Sequence, residues 1–255
     1  SASDVAAAVA PAATLAPTVE AKVEPTSDVV AAVAPTATSA PTATLAPTEE
    51  MKNFIDPVGM FTLRVPKRFF TIRRTAKGDL PDEKTGIGRR GSSIFTAGDL
   101  AKTQVVSIER FPIAVLLEEA GVSATGDLST FTSIGNAKEI AKLLNLRRER
   151  EKPGQSRTKI LDDSIKVSSD GKTLQFQLRA EIDVNKPDLL LEQIGLSELY
   201  RITLARAELH SNDGQLMACY ASAMGQDYEG PDGESIRQVI SSFTVKDQSS
   251  KDSSI

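Results

Sequence analysis

Two Asp-Gly turns constrain the fold of this chain more than any other feature of its sequence. Asp-Gly tolerates the positive φ angles that a tight turn between antiparallel strands requires. One turn is Ser169-Asp170-Gly171 and the other is Asn212-Asp213-Gly214. They separate four stretches with strand-like apolar patterns, at 159–167, 173–183, 201–209 and 215–224. The sequence therefore predicts two long antiparallel hairpins in the second half of the chain.

Further strands and helices surround these hairpins. Strand-like patterns also cover 61–65, 70–72, 92–96 and 104–111. Apolar residues recur at helical spacing over 137–151, where Asn136 is the predicted N-cap. A second helix is expected over 234–242, and a short one within 185–200. Together these elements predict an α+β fold over 53–246, an α/β/α sandwich in which helices flank a mainly antiparallel central sheet.

Residues 1–52 have a composition that does not build a packed core. Six of the 13 prolines lie there, and the abundant Ala and Thr supply too little apolar area to offset the entropy that folding removes. The nine residues at 3–11 recur at 27–35 with a single change. We expect this Ala/Pro-rich low-complexity tail to be disordered, or extended on a partner, and the C-terminus at 247–255 to be flexible. The candidate partner-binding residues of the tail are its larger apolar side chains: Val5, Val9, Leu15, Val29, Val33 and Leu45.

Charge and hydropathy exclude several classes of function. The chain holds 30 Lys and Arg against 34 Asp and Glu, and 1–52 contains six of the acids and two of the bases, so the charges of the remainder are equal in number. A balanced domain with an acidic tail lacks the positive field that nucleic-acid binding requires. No stretch approaches the roughly 20 apolar residues that span a bilayer. We therefore expect no nucleic-acid partner and no transmembrane segment, and the initial Ser suggests that a targeting peptide has been removed.

Reactive residues are too few for most catalytic or metal sites. Cys219 is the only cysteine and His210 the only histidine, which excludes an internal disulfide and a multi-histidine metal site. Cys219 alternates with Met217 and Ala221, so it is expected in the core, whereas His210 lies beside a turn and is expected to be exposed. Residues 86–91 match G-x-G-x-x-G, but a strand follows instead of a helix, which predicts a surface loop. We expect no catalytic activity and no cofactor bound by the chain itself.

Several segments occur in the order and spacing of one known family. They are Gly59-Met60-Phe61-Thr62-Leu63-Arg64-Val65-Pro66 followed by Phe69-Phe70, then Asp170-Gly171-Lys172, Asn212-Asp213-Gly214-Gln215-Leu216 with Cys219, and Ser241-Ser242-Phe243-Thr244-Val245. On these segments the chain resembles the PsbP family, the extrinsic proteins of the thylakoid lumen, across essentially all of 54–246. The resemblance implies a PsbP-like α/β/α sandwich without catalytic activity.

The same resemblance implies a place on the lumenal face of photosystem II, in the chloroplast. There the family shields the oxygen-evolving site and helps to retain calcium and chloride. The implied partners are the photosystem core and other extrinsic subunits, with this chain a monomer within the larger complex. Because other family members assist photosystem assembly, an assembly or accessory factor for photosystem I or II is an alternative. A third alternative is a GTPase-binding protein of the related Mog1-like fold.

Basic residues are the first candidates for partner binding within the domain. They are Arg147, Arg148 and Arg150 at the end of the long predicted helix, and Lys67 and Arg68, with Arg73 and Arg74, after the first strand. At a helix C-terminus cations also complement the helix dipole, so a solvated helix end is the simpler interpretation. If the fold brings both groups to one side, they form a docking surface for an acidic partner.

An apolar connection is the second candidate. Leu190 and Ile194 lie in 185–200, which is more apolar than a solvated link between strands requires. The predicted short helix is therefore either packed on the sheet or presented to a partner.

Overall fold

The structure of the chain is a computed structural model that describes residues 49–151, 158–210 and 214–246. The candidate residues of the tail therefore lie outside the described residues: Val5, Val9, Leu15, Val29, Val33 and Leu45. So do the predicted C-terminus at 247–255 and the first two residues of the turn at 212–214.

In chain order the elements are β1 Met51–Ile55, β2 Phe61–Pro66, β3 Phe70–Arg74, β4 Arg89–Asp99, β5 Gln104–Pro112, α1 Ile113–Glu119, α2 Phe131–Ile134, α3 Ala137–Glu151, β6 Thr158–Val167, β7 Thr173–Ile182, α4 Pro187–Ile194, β8 Leu199–Leu209, β9 Gln215–Met224, α5 Pro231–Ser242 and β10 Thr244–Val245. The connections between the elements range from none, between β5 and α1, to 14 residues, between β3 and β4. None of the helices among the described residues has the length and hydropathy needed to cross a bilayer.

Seven strands form the central sheet, in the order β3-β4-β5-β9-β8-β7-β6. Every neighbouring pair in this sheet is antiparallel, including the two hairpins β6–β7 and β8–β9 that the Asp-Gly turns predict. Gly171 has a φ of +71°, and a Cβ there would lie 2.9 Å from the side chain of Thr130. The turn therefore needs glycine both for its backbone conformation and for the close approach of the segment that begins α2.

Opposite faces of this sheet are covered by different layers. A three-stranded sheet, β1-β2-β10, and helix α5 cover one face, where Phe61 and Phe95 pack with ring centroids 5.7 Å apart. Helices α1, α2 and α3 cover the other face around Phe111 and Phe176. The α+β prediction, with helices on both sides of a mainly antiparallel sheet, is confirmed.

Strand β9 shows how one segment serves both layers. Met217 and Cys219 face the layer of α5, whereas Ala218 and Tyr220 face the layer of α3, as the two-residue period of a strand requires. Cys219 is fully buried, which confirms its predicted place in the core. Both core layers are therefore built from a continuous apolar strand at the centre of the sheet.

Four elements were missing from the sequence prediction: β1, β10, α1 and α2. Strand β1 begins at Met51, so Met51 and Lys52 belong to the domain rather than to the tail. β1 is mostly exposed and β10 has only two residues, so neither produces an apolar alternation. Helix α1 directly follows β5 without an intervening polar segment, and its apolar residues resemble a continuation of the strand.

The glycine-rich segment 86–91 leads directly into β4 and precedes no helix. Gly86 has a φ of +63°, and a Cβ there would lie 2.5 Å from the Cβ of Phe111. The close packing of Gly86 against β5 therefore explains why this position is a glycine.

Candidate functional site

The end of α3 holds two of the predicted docking residues in the interior. Arg147 is buried, with Nη1 2.5 Å from the Glu119 carboxylate and the guanidinium 4.5 Å from the centre of the Phe111 ring. Its Nε also lies 3.3 Å from the Glu151 carboxylate. Arg147 thus joins α3 to α1 and to the sheet, and it offers no exposed charge to a partner.

Arg148 is buried beside Arg147 and directed at the sheet. Its guanidinium stacks 4.2 Å from the centre of the Tyr220 ring, and Nη1 lies 3.7 Å from the carboxylate of Glu109 and 3.4 Å from the Ser107 hydroxyl. Glu109 is itself buried on β5. A buried guanidinium between a carboxylate and an aromatic ring has the environment that stabilises an interior charge.

The exposed docking position that the sequence analysis gave to Arg147 and Arg148 is therefore wrong. Helical spacing explains the correction, because Arg147 follows Ile140 by seven residues and Arg148 follows Leu144 by four, so both share the buried face. Arg150 is the exposed member of the group, with Nη1 3.7 Å from Glu119. The missed signal was Glu109, an acidic residue within an apolar strand, which needs a buried cation.

Arg68 lies at the other end of the sheet and is engaged inside the domain. It forms ion pairs with the carboxylates of Glu49, Asp99 and Asp232, and the Asp99 carboxylate lies 3.1 Å from its Nη1. Its Nη2 also donates to the Gln104 side chain at 2.6 Å. These partners belong to the start of the domain, the β4–β5 hairpin and α5. Arg68 therefore clamps three elements together.

Lys67, next to Arg68, is exposed and forms an ion pair with the equally exposed Glu50 at 2.6 Å. The two predicted basic groups do not meet, since Arg68 contacts the layer of α5 and Arg147 and Arg148 lie beneath α3 on the opposite face of the sheet. A single basic docking surface built from both groups is absent from the described structure.

Helix α4 carries the apolar candidates. The predicted short helix is present over Pro187–Ile194 and ends at Gly195, whose φ of +73° suits a helix C-terminus. Leu190 is 7% exposed and packs inward, whereas Leu191 and Ile194 are 57% and 64% exposed. The helix is therefore both packed and presented: Leu190 anchors it, and Leu191 and Ile194, which lie three residues apart and on the side of the helix next to Leu190, show apolar surface to solvent.

A groove of about 610 Å³ lies between α5 and the free edge of the sheet. It exists because α5 covers β8 and β9 but leaves the face of β6 and β7 open, and because a bulge after Leu161 bends β6 over this face. Its walls include Leu161, Ser164, Gln177, Tyr228, Arg237 and Ile240. The Tyr228 hydroxyl lies 3.5 Å from the Gln177 side chain, and Arg237 stacks on Tyr228.

Reactive side chains are not gathered around these surfaces. Burial raises the pKa of the Cys219 thiol, which keeps it protonated. His210 is half-buried rather than exposed, and its backbone N–H donates to the Gln215 carbonyl at 3.0 Å. Among the described residues no group of three or more His, Cys, Asp or Glu side chains is placed to hold a metal ion.

Comparison with known proteins finds similarity to solved structures only. No protein-family model and no curated protein sequence matches the chain. A solution structure of cyanobacterial PsbP from Synechocystis sp. PCC 6803 is similar with a TM-score of 0.49 and 14% identity, covering 80% of this chain and 96% of that one. The Ran-binding protein Mog1p of Saccharomyces cerevisiae has a TM-score of 0.43 and 11% identity, over 79% and 98% of the two chains. LpqN of Mycobacterium tuberculosis, described as involved in cell envelope biogenesis, has a TM-score of 0.37 and 10% identity, over 77% and 91%.

Proposed function

We propose that this protein is a non-catalytic extrinsic subunit of the thylakoid lumen that binds the lumenal face of photosystem II. In this role it stabilises the oxygen-evolving centre and its retention of calcium and chloride. The observation that carries the proposal is the ordered set of PsbP-type segments. Residues 59–66 contain β2, 170–172 form the β6–β7 turn, and 241–245 join α5 to β10 within one domain.

Helix α4 supports a binding role for the domain. Leu191 and Ile194, three residues apart, form an exposed apolar stripe on a helix that Leu190 fixes to the domain, and Leu189 is exposed on the other flank of Leu190. A contiguous exposed apolar surface on a folded domain is characteristic of a protein–protein contact. We therefore assign to α4 a contact with a lumenal subunit of the photosystem.

The chemistry of the described residues supports binding rather than catalysis. The only thiol is buried with a raised pKa, and the only histidine is half-buried beside a hairpin turn. The ion pairs of the buried and partly buried arginines Arg68, Arg147 and Arg148 join elements of the fold to one another. These charges stabilise the fold that positions α4 and the groove at the surface.

Cofractionation of the native protein with thylakoid complexes tests the proposal. Membranes are solubilised gently and separated on a native gel, and the protein is detected by antibody beside markers for each photosystem. Migration with photosystem II, and release from it by a salt wash, is the expected result. Migration with photosystem I or with assembly intermediates favours an accessory factor instead, and recovery outside the chloroplast contradicts the proposal.

A further inference from the structure

Strand β3 forms an unusual edge of the central sheet. All five residues of Phe70–Arg74 are exposed, and Phe70 and Ile72 are 74% and 50% exposed. Phe70 pairs with Gly98, which places it beside the β4–β5 turn, where Leu100 is 72% exposed. Three large apolar side chains therefore protrude along one edge of a domain whose other aromatic rings are mostly buried.

Arginines continue the same edge. Arg73 and Arg74 end β3, and Arg89 begins β4 next to it. A cavity of about 160 Å³ is lined by Arg74 and Arg89 together with Thr75, Asp79 and Ser93, so its walls carry two guanidinium groups and one carboxylate. Within the described ranges no carboxylate forms an ion pair with Arg73, Arg74 or Arg89. Their charges are thus available to a ligand, unlike that of the neighbouring Arg68.

The geometry of β3 disfavours pairing with a strand from another protein. The register shifts between Thr71 and Arg73, so Ile72 lies in a bulge. A bulge and adjacent charged side chains interrupt the row of backbone donors and acceptors that an added strand needs. Protruding apolar side chains flanked by cations are instead the combination by which peripheral proteins contact anionic membranes.

We propose that the β3 edge, formed by Phe70, Ile72, Leu100, Arg73, Arg74 and Arg89, docks on the surface of an anionic lipid bilayer. Phe70, Ile72 and Leu100 enter the headgroup region, and the cavity between Arg74 and Arg89 receives the phosphate or sulfonate group of a lipid headgroup. The guanidinium groups and the hydroxyl of Ser93 supply donors to such an oxyanion, whereas the Thr75 hydroxyl already donates to the Ser93 carbonyl at 3.2 Å. This surface is separate from α4, so the proposal does not depend on which protein complex the chain binds.

Flotation of the full chain with lipid vesicles tests the proposal. One set of vesicles is pure phosphatidylcholine and the other contains equal parts of phosphatidylcholine and phosphatidylglycerol. We expect binding to the anionic vesicles only, weakened by added salt because screening reduces the attraction. The variant R73Q/R74Q/R89Q should bind them at least about tenfold more weakly, and F70S/L100S should also lose binding. The matched control K142Q/K159Q/K186Q removes three exposed charges elsewhere and should lose much less.

Several outcomes overturn the proposal. Equal binding to both kinds of vesicle, or full binding by R73Q/R74Q/R89Q, would show that the β3 edge does not recognise anionic lipid. Binding of inorganic phosphate to the cavity without any vesicle binding would make it a site for the free anion. If F70S/L100S binds vesicles normally but fails to bind native membranes, the edge contacts a protein. Because the vesicles contain no photosystem, none of the vesicle results decides the proposed function.

Discussion

Two pairs of adjacent arginines have opposite environments in this domain. Arg147 and Arg148 are enclosed between α3 and the sheet, each against a carboxylate and an aromatic ring. Arg73 and Arg74 lie on an edge strand, exposed and without an ion pair to any described residue. The contrast shows that a cluster of basic residues in the sequence indicates an exposed binding surface only when it is known which face of the helix or strand carries the residues.

The energetic consequences of the two environments differ as well. A buried charge is tolerated when a partner and hydrogen bonds replace its hydration, and losing one partner leaves the other in the interior. An exposed charge keeps its hydration and contributes little to stability. We therefore expect the interior pair to determine stability and the edge pair to determine binding.

The largest effect is expected for Arg148→Met. The substitution keeps much of the side-chain volume but removes the cation opposite buried Glu109 and the stacking on Tyr220, which should lower the free energy of unfolding by about 3–5 kcal/mol. Arg73→Met is the matched control at the edge and should change it by less than about 0.5 kcal/mol. Urea unfolding of both variants measures the difference in unfolding free energy. Equal losses of stability in the two variants would contradict the contrast between the interior and the edge arginines.

Helix α4 repeats the contrast within eight residues. Leu190→Ser introduces a hydroxyl into a buried position and should cost about 2–5 kcal/mol of unfolding free energy. Ile194→Ser changes an exposed side chain and should leave stability nearly unchanged, while rebinding to salt-washed membranes weakens. Thermal unfolding and rebinding are measured on both variants. Normal rebinding by Ile194→Ser would show that the exposed side of α4 is not a contact surface.

Arg68 is the intermediate case, since it is partly exposed and surrounded by several carboxylates. A chain that begins at Leu45 keeps Glu49 and should unfold at the same temperature as the full chain. A chain that begins at Glu50 lacks Glu49 but keeps the ion pair between Glu50 and Lys67, and the loss of this one partner of Arg68 should lower the unfolding free energy by about 1 kcal/mol or less. Calorimetry compares the three proteins. A large loss on removal of residues 1–44 alone would show that the tail contributes to the fold.

The smallest effect concerns a single exposed carboxylate in the β6–β7 turn. The Ser168 hydroxyl and then the Lys172 backbone N–H, at 3.0 Å, hold the pKa of Asp170 below its ordinary value of 3.8. A lowered pKa stabilises the folded state above 3.8, and this contribution is lost as the pH falls through the lowered value. Wild type should therefore melt slightly above Asp170→Asn at neutral pH, and the difference should disappear in acid. A difference that grows on acidification would contradict this assignment.

Sequence patterns predicted the positions of helices and strands better than the environments of individual side chains. The Asp-Gly turns located both long hairpins, and helical periodicity located α3, because these signals are local to the segments that carry them. The position of Arg148 depends on Glu109, which is distant in sequence, so no local pattern contains it. The sequence Phe70-Thr71-Ile72 has the alternation of an ordinary strand, and only the order of strands shows that it lies at an edge.

The candidate surfaces were predicted in part for the same reason. The short helix within 185–200 was expected from its apolar content, but the division between buried Leu190 and exposed Ile194 depends on how α4 packs on the rest of the domain. The groove beside α5 was missed entirely, since it results from the bulge in β6 and from the limited width that α5 covers. Such features arise from tertiary packing.

Chemical crosslinking in intact thylakoids tests the central claim most directly, namely that the domain contacts photosystem II through α4. Lys186 is exposed at the N-terminal end of α4, and Lys142 is exposed on α3. The account predicts that Lys186 forms crosslinks to lumenal subunits of photosystem II and that Lys142 forms few or none. Crosslinks from Lys142 without any from Lys186, or crosslinks from Lys186 only to photosystem I or to other proteins, would contradict it.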